Sequence, residues 1–187
     1  VAGKTVTDPF AGNGDLMRWA KTNKCHKAIG YDYDKKYADE KKVFLNDSIS
    51  SPPEYKFICT NPPYLHKNKA SKKIKEIFFS GNFGEFDDLY QVSLFSMLDC
   101  EEGIIIVPLN FLCAENSKRI RELFFEKFEI IKLNIFSEQV FDDTTYNVIS
   151  FYFRRKITGS DKNVIDATIY PENKRISFVL EKNHDWQ

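Results

Sequence analysis

Long apolar runs are missing from this 187-residue chain. None approaches the about 18 residues that a membrane-spanning helix needs, and no signal-peptide pattern is visible. The expectation is a protein of the cytoplasm with no membrane partner. Net charge is missing too, because 27 Lys and Arg balance 27 Asp and Glu. That excludes a polycationic grip by the whole domain, so any nucleic-acid contact must come from local patches. The four cysteines, Cys25, Cys59, Cys100 and Cys113, show no Cys-x-x-Cys spacing, and only Cys25 has a histidine, His26, beside it. They argue against a zinc site and a disulfide framework. Cys59 and Cys113 sit in apolar runs and read as small core residues in a reducing compartment. The histidines, His26, His66 and His184, are scattered and receive no role. Internal repeats and low-complexity segments are absent as well.

What is present is enough apolar and aromatic residue, 42% and 15% of the chain, to bury a sizeable core in one domain or slightly more. Strand patterns occur at 4–7, 28–31, 43–45, 55–60, 104–107, 129–136 and 147–153, with weaker ones at 164–170 and 175–180. Between them lie helical patterns at 16–22, 34–40, 86–99 and 117–127, the last two amphipathic. A basic polar stretch, 66–75, reads as a loop running into a helix. Strands alternating with helices predict an α/β fold with a doubly wound, mainly parallel sheet. The pair 129–136 and 147–153 lacks a crossover helix, which predicts an antiparallel edge hairpin.

The most informative stretch is Thr60-Asn61-Pro62-Pro63-Tyr64, directly after the buried strand 55–60. Two prolines in a row stiffen the backbone and offer no N–H. The Asn61 amide and the Pro62 carbonyl can then be held as acceptors at the carboxyl edge of a sheet, where open α/β sheets bind ligands. Tyr64 adds a flat ring. Paired acceptors suit a sluggish planar nitrogen, such as a nucleobase amine. Two acceptors on its two N–H bonds draw the nitrogen toward tetrahedral geometry and aim its lone pair at an electrophile, without a strong base. The plain alternative is a strand followed by a Pro-Pro turn.

At the other end, Asp8-Pro9-Phe10-Ala11-Gly12-Asn13-Gly14-Asp15 follows the first strand and precedes a helix. It is not the dinucleotide pattern of three glycines. An acid at the strand end repels a pyrophosphate and attracts a cation. Asp32 ends the second strand, about 20 residues on, where a ribose-binding acid belongs. Asp47 follows the third strand, placed to accept from an adenine amine. Three acids at successive strand ends around a glycine turn describe a pocket for a positively charged adenosine, S-adenosyl-L-methionine.

These two motifs, Asp8 to Gly14 and Asn61 to Tyr64, resemble those of the gamma-type adenine-N6 DNA methyltransferases found in restriction–modification systems. The resemblance runs from about Lys4 to Phe153. It implies a seven-stranded, Rossmann-like methyltransferase fold. It implies cofactor contacts from Asp8, Phe10, Gly12, Gly14, Asp32, Asp47 and Ile49, and catalysis by Asn61, Pro62 and Tyr64. The stretch Val107 to Leu112 resembles the family's following strand. Val140-Phe141 is similar to its late motif, so that a flipped adenine would lie between Tyr64 and Phe141. Double-stranded DNA is the implied partner, with Lys67, Lys69, Lys72 and Lys73 beside the catalytic loop as contact candidates. Lys118, Arg119 and Arg121 read as solvated surface.

The family carries a helix and loop before its first motif and a target-recognition domain after its core. The chain opens at Val1 directly into a strand, so it reads as part of a longer protein. Residues 1–156 are the expected catalytic domain. Residues 157–187 are an extension that reads as the start of a target-recognition region, and a restriction nuclease is a further candidate partner. Methylation of a protein glutamine amide or of an RNA base shares the Asn-Pro-Pro-Tyr chemistry and stays open. So does a non-catalytic DNA-binding remnant.

Overall fold

The computed structural model describes residues 1–39, 42–141, 147–157 and 162–181. Its strands are β1 (Thr5–Asp8), β2 (Lys27–Asp32), β3 (Val43–Leu45), β4 (Phe57–Thr60), β5 (Glu102–Pro108), β6 (Phe128–Phe136), β7 (Val148–Arg155), β8 (Lys162–Tyr170) and β9 (Lys174–Glu181). They form one mixed sheet in the order β3-β2-β1-β4-β5-β7-β6-β8-β9. The helices are α1 (Asp15–Thr22), α2 (Lys72–Phe78), α3 (Leu89–Ser96), the single turn α4 (Asn110–Cys113) and α5 (Lys118–Lys127).

Among the described residues the sheet therefore has nine strands rather than the seven expected. Strands β1 to β5 are mutually parallel along their pairings. Strand β7 runs antiparallel to both β5 and β6. The hairpin β6–β7 exists, but it is interior and not an edge. Strand β8 pairs in parallel with β6, and β9 closes the sheet beside β8. The reason is visible in β8, where Asn163, Ile165 and Ala167 are buried in alternation. Asn163 also fixes the join, since its amide bonds both the N–H and the carbonyl of Ile130.

Alternation along the central strands feeds two cores. Ile58, Ile105, Val107, Phe151 and Phe153 face the side covered by α3 and α5. Val6, Phe57 and Cys59 face α1, with Ile104 and Tyr152 packed against them. The first core is dominated by aromatic rings. Phe124 lies 5.0 Å from Phe128 and 5.1 Å from Phe153, ring centre to ring centre. Helix α3 was expected to be amphipathic, but every residue from Leu89 to Leu94 is buried. Its polar side chains survive there because they are bonded. Ser93 donates to the Leu89 carbonyl, and Gln91 closes a capping box with Asp88.

Three other expectations fail locally. Residues 34–39 form a turn and no helix. Asp34 accepts from the Lys36 N–H, and Asp39 accepts from those of Lys42 and Val43, so these short acids compete with helical bonding. Arg121 is 4% exposed rather than solvated. Its guanidinium donates to the carbonyls of Phe111 and Ala114, which stitches α5 to the single-turn α4. Cys113 is exposed and not a core residue, while Cys59 is buried. No helix among the described residues is long and apolar enough to cross a membrane.

Candidate active site

Strand order reverses between β1 and β4: from β1 the chain winds outward through β2 and β3, and from β4 it winds the other way to β5. Such a switch point opens a crevice at the carboxyl ends of the strands. Both sequence motifs end there. The Thr60 hydroxyl, at the tip of β4, donates to Asp8 Oδ1, at the tip of β1, across 2.6 Å. Fifty-two residues separate the two in the chain, yet they meet in a buried hydrogen bond.

Asp8 is 2% exposed. Burial pushes its carboxyl from the ordinary 3.8 up to about 7, with the Asp32 charge adding to the rise. The Thr60 hydroxyl and the Phe10 N–H, 3.2 Å from Oδ1, oppose it. An acid held this close to neutrality, in a crevice, is what a cationic ligand would compensate. Phe10 is half-buried, its ring packed against the aromatic core.

The turn after β1 needs its glycines. Gly12 and Gly14 have φ of 49° and 77°, the left-handed region where a side chain is strained. A Cβ on Gly12 would meet nothing within 4 Å, so the turn leaves open space at that point. Asp32 holds the turn from β2, its Oδ2 accepting the Gly12 N–H at 2.8 Å while Oδ1 accepts that of Asp34. The Asp47 Oδ1 accepts the N–H groups of Ile49 and Ser50. Ile49 is 5% exposed and belongs to the main core.

Asn61 is half-buried and Pro62 is buried. The Tyr64 hydroxyl lies 2.7 Å from Asn61 Oδ1 and 3.1 Å from the Ile106 carbonyl. Its ring meets Tyr90 edge-on at 6.4 Å, and burial raises its phenol well above the ordinary range. The chain beyond is pinned to the start of α3. The Leu65 N–H donates to the Asp88 carboxylate, Leu89 donates to the Leu65 carbonyl, and Lys67 donates to that of Asp87. The rigid corner thus has a fixed exit as well as a fixed entry.

Lys69, Lys72 and Lys73 are exposed beyond this corner, on a short turn and on α2. Lys72 faces Glu76 in an exposed ion pair of 3.9 Å, while the half-buried Lys67 donates from Nζ to the Gly84 carbonyl. Phe141 is half-buried, its carbonyl accepting from Gln139 Nε2. Among the described residues no ring contact joins Phe141 to Tyr64. Residues 142–146, the rest of that motif, and His184 lie outside the described residues.

The sequence assigned no role to Thr60, Ile106 or Tyr33. Thr60 carried one signal, a hydroxyl between a buried strand and the asparagine. Tyr33 follows Asp32, is 51% exposed, and meets Phe78 of α2 edge-on at 5.7 Å. A groove of about 400 Å³ lies on the α1 face of the sheet, where Trp19, Thr60, Ile104, Ile106 and Tyr152 line it. It touches the crevice through Thr60 but is apolar, and neither Gly12 nor Gly14 lines it.

The model of the family described as Eco57I restriction-modification methylase matches residues 10–141. Among solved structures, similarity extends to the modification subunit of what is thought to be a type I restriction enzyme from Vibrio vulnificus YJ016. The TM-score is 0.67 at 17% identity, over 92% of this chain and 44% of that one. The type IIL restriction-modification enzyme MmeI, solved in complex with DNA, has a TM-score of 0.63 at 14% identity, over 97% and 35%. A protein from Pyrococcus horikoshii, thought to be an RNA methyltransferase, has a TM-score of 0.59 at 18% identity, over 84% and 77%. The chain therefore spans less than half the length of the first two. No curated protein matches the sequence.

Proposed function

The chain belongs to the Eco57I restriction-modification methylase family, and from that premise we propose that it methylates the N6 amine of a flipped adenine in double-stranded DNA, with S-adenosyl-L-methionine as cofactor. The observation that carries this is the Thr60–Asp8 hydrogen bond, which joins the glycine-turn motif to the Asn-Pro-Pro-Tyr motif at neighbouring strand tips.

The residues around the glycine turn fit the cofactor. Asp8 is a buried acid that a cation would stabilise, and the space at Gly12 admits close approach to backbone. Asp32 would hold the ribose hydroxyls, Asp47 the adenine amine through its second oxygen, and Ile49 and Phe10 the apolar surround. Bound there, S-adenosyl-L-methionine would supply a methyl group activated by positive sulfur.

The chain's own contribution is to prepare the amine. Asn61 Oδ1 and the Pro62 carbonyl accept its two N–H bonds and draw the nitrogen toward tetrahedral geometry. Because both acceptors sit on a proline-stiffened corner, they need no rearrangement when the amine arrives. No side-chain base is required, since the proton leaves after transfer. The Tyr64 and Phe141 rings would flank the base once it leaves the stack. Lys69, Lys72 and Lys73 would meet the DNA backbone. Residues 1–156 are the catalytic unit in this reading. The described part of 157–187 adds β8 and β9 to the same sheet and would lead toward target recognition, supplied with any nuclease by the parent protein.

The test is a tritiated-methyl assay of the full-length protein on DNA, RNA and protein substrates, followed by nucleoside analysis. N6-methyladenine from DNA is expected, and Asn61→Ala should abolish it while cofactor binding persists. Label confined to RNA or protein, or an active Asn61→Ala variant, would refute the proposal.

A further inference from the structure

A phenol has one proton to give and lone pairs with which to accept. The Tyr64 hydroxyl has two oxygens within reach, Asn61 Oδ1 at 2.7 Å and the Ile106 carbonyl at 3.1 Å. One proton cannot serve both. The Ile106 carbonyl can only accept. The β4–β5 pairing ends at Thr60 opposite Ile105, so Ile106 lies one step past it, and the chain above turns through two prolines that have no N–H to offer. Burial keeps the Tyr64 phenol protonated, so its single donor persists.

An amide's oxygen and nitrogen ends fill nearly the same volume, and hydrogen bonding decides which is which. With the Tyr64 proton on Ile106, the phenol oxygen toward Asn61 is left as an acceptor. The end of Asn61 that suits it is the Nδ2 donor. Turning the amide over satisfies all three groups in one chain, from Asn61 Nδ2–H to Tyr64 and from Tyr64 O–H to Ile106. It also turns Oδ1 away from Tyr64, leaving its lone pairs free of the phenol.

We propose that the Tyr64 hydroxyl, anchored on the Ile106 carbonyl, fixes the Asn61 amide with nitrogen inward and oxygen outward. Tyr64 is then a positioning residue through its hydroxyl, apart from any stacking by its ring. This rests on the methyl-transfer reading above, because only there does the outward oxygen meet a substrate amine. The gain is preorganisation: the acceptor is aimed before the base arrives, and the wrong end of the amide cannot confront the amine.

Tyr64→Phe tests this, since it keeps the ring and removes only the hydroxyl. The kcat of DNA methylation by the full-length protein should fall about tenfold or more, because a misaimed group near the chemistry is costly. The KM for DNA and the calorimetric affinity for S-adenosyl-L-methionine should stay within about twofold. Hydrogen exchange of the Asn61 side-chain amide, assigned by its loss in Asn61→Ala, should be slowed in the parent protein and not in Tyr64→Phe. An unchanged kcat, equal exchange in the two proteins, or a matching loss of cofactor affinity overturns the positioning role. Activity lost in Asn61→Ala but retained in Tyr64→Phe sinks this inference alone, whereas activity retained in Asn61→Ala sinks the methyl-transfer reading with it.

Discussion

Replacing Asp8 with Asn should change how stability depends on pH. The side chain keeps its shape, and its amide oxygen can still accept from Thr60 and from the Phe10 N–H. In the folded protein the Asp8 carboxyl titrates near 7, against 3.8 for an ordinary aspartate. The native state therefore holds its proton more tightly than the unfolded chain does. Folding takes up that proton between these two values, so stability from this group is intact below pH 3.8 and is lost as pH rises to about 7. At about 1.4 kcal/mol per pH unit, the gap amounts to about 4 kcal/mol. Asn cannot ionise and escapes the loss. Urea unfolding of both proteins at pH 5 and pH 8 isolates the effect, because every other acid is common to the two. The variant should gain on the parent by about 2 to 3 kcal/mol between those conditions, since part of the window lies below pH 5. The same difference in stability at both pH values would refute the burial of an unpaired acid at this strand tip.

Asp32→Ala removes the acceptor for the Gly12 N–H and the proposed ribose contact together. Cofactor affinity should drop at least about tenfold, since bonds to charged groups are worth about 1.5–3 kcal/mol, and unchanged calorimetric binding would count against the assignment. Reversing Lys69, Lys72 and Lys73 to Glu should weaken DNA binding and shrink its salt slope by roughly 0.9 for each phosphate no longer neutralised. Lys67→Glu should do less, because its Nζ is already engaged by the Gly84 carbonyl, and an equal effect on the slope would contradict that. Gly103→Ala would bring a Cβ against the Ile58 side chain and to 2.8 Å from the Ile58 carbonyl. With backbone on the far side of the clash, about 1–3 kcal/mol of stability should be lost, and a melting temperature equal to the parent's would show that β4 and β5 can part there.

Much of this molecule is legible in its sequence. The strand over Val43–Leu45 lies where its apolar run predicted, and β1, β2, β5 and β6 differ from expectation by a residue or two. Misreadings came where one local signal stood for a non-local fact. Charge suggested that Arg121 faces solvent, but the carbonyls of Phe111 and Ala114 draw it inward. An apolar neighbourhood suggested that Cys113 is buried, but α4 is a single turn and leaves it exposed. Acids at 34–39 looked compatible with a helix, and their own turn bonding defeated it.

By itself, the sequence determined where the strands and three longer helices fall, where the proline corner and glycine turn lie, and which residue types each presents. Those are properties of short stretches, set by side-chain periodicity, by missing N–H groups and by the conformational freedom of glycine. The tertiary structure alone decided that Asp8 meets Thr60, that β6–β7 is interior, and that Tyr64 reaches both Asn61 and Ile106. Periodicity records which face of a strand is buried but not which strand lies beside it. That choice is made only when distant segments compete for the same sheet edges and the same core.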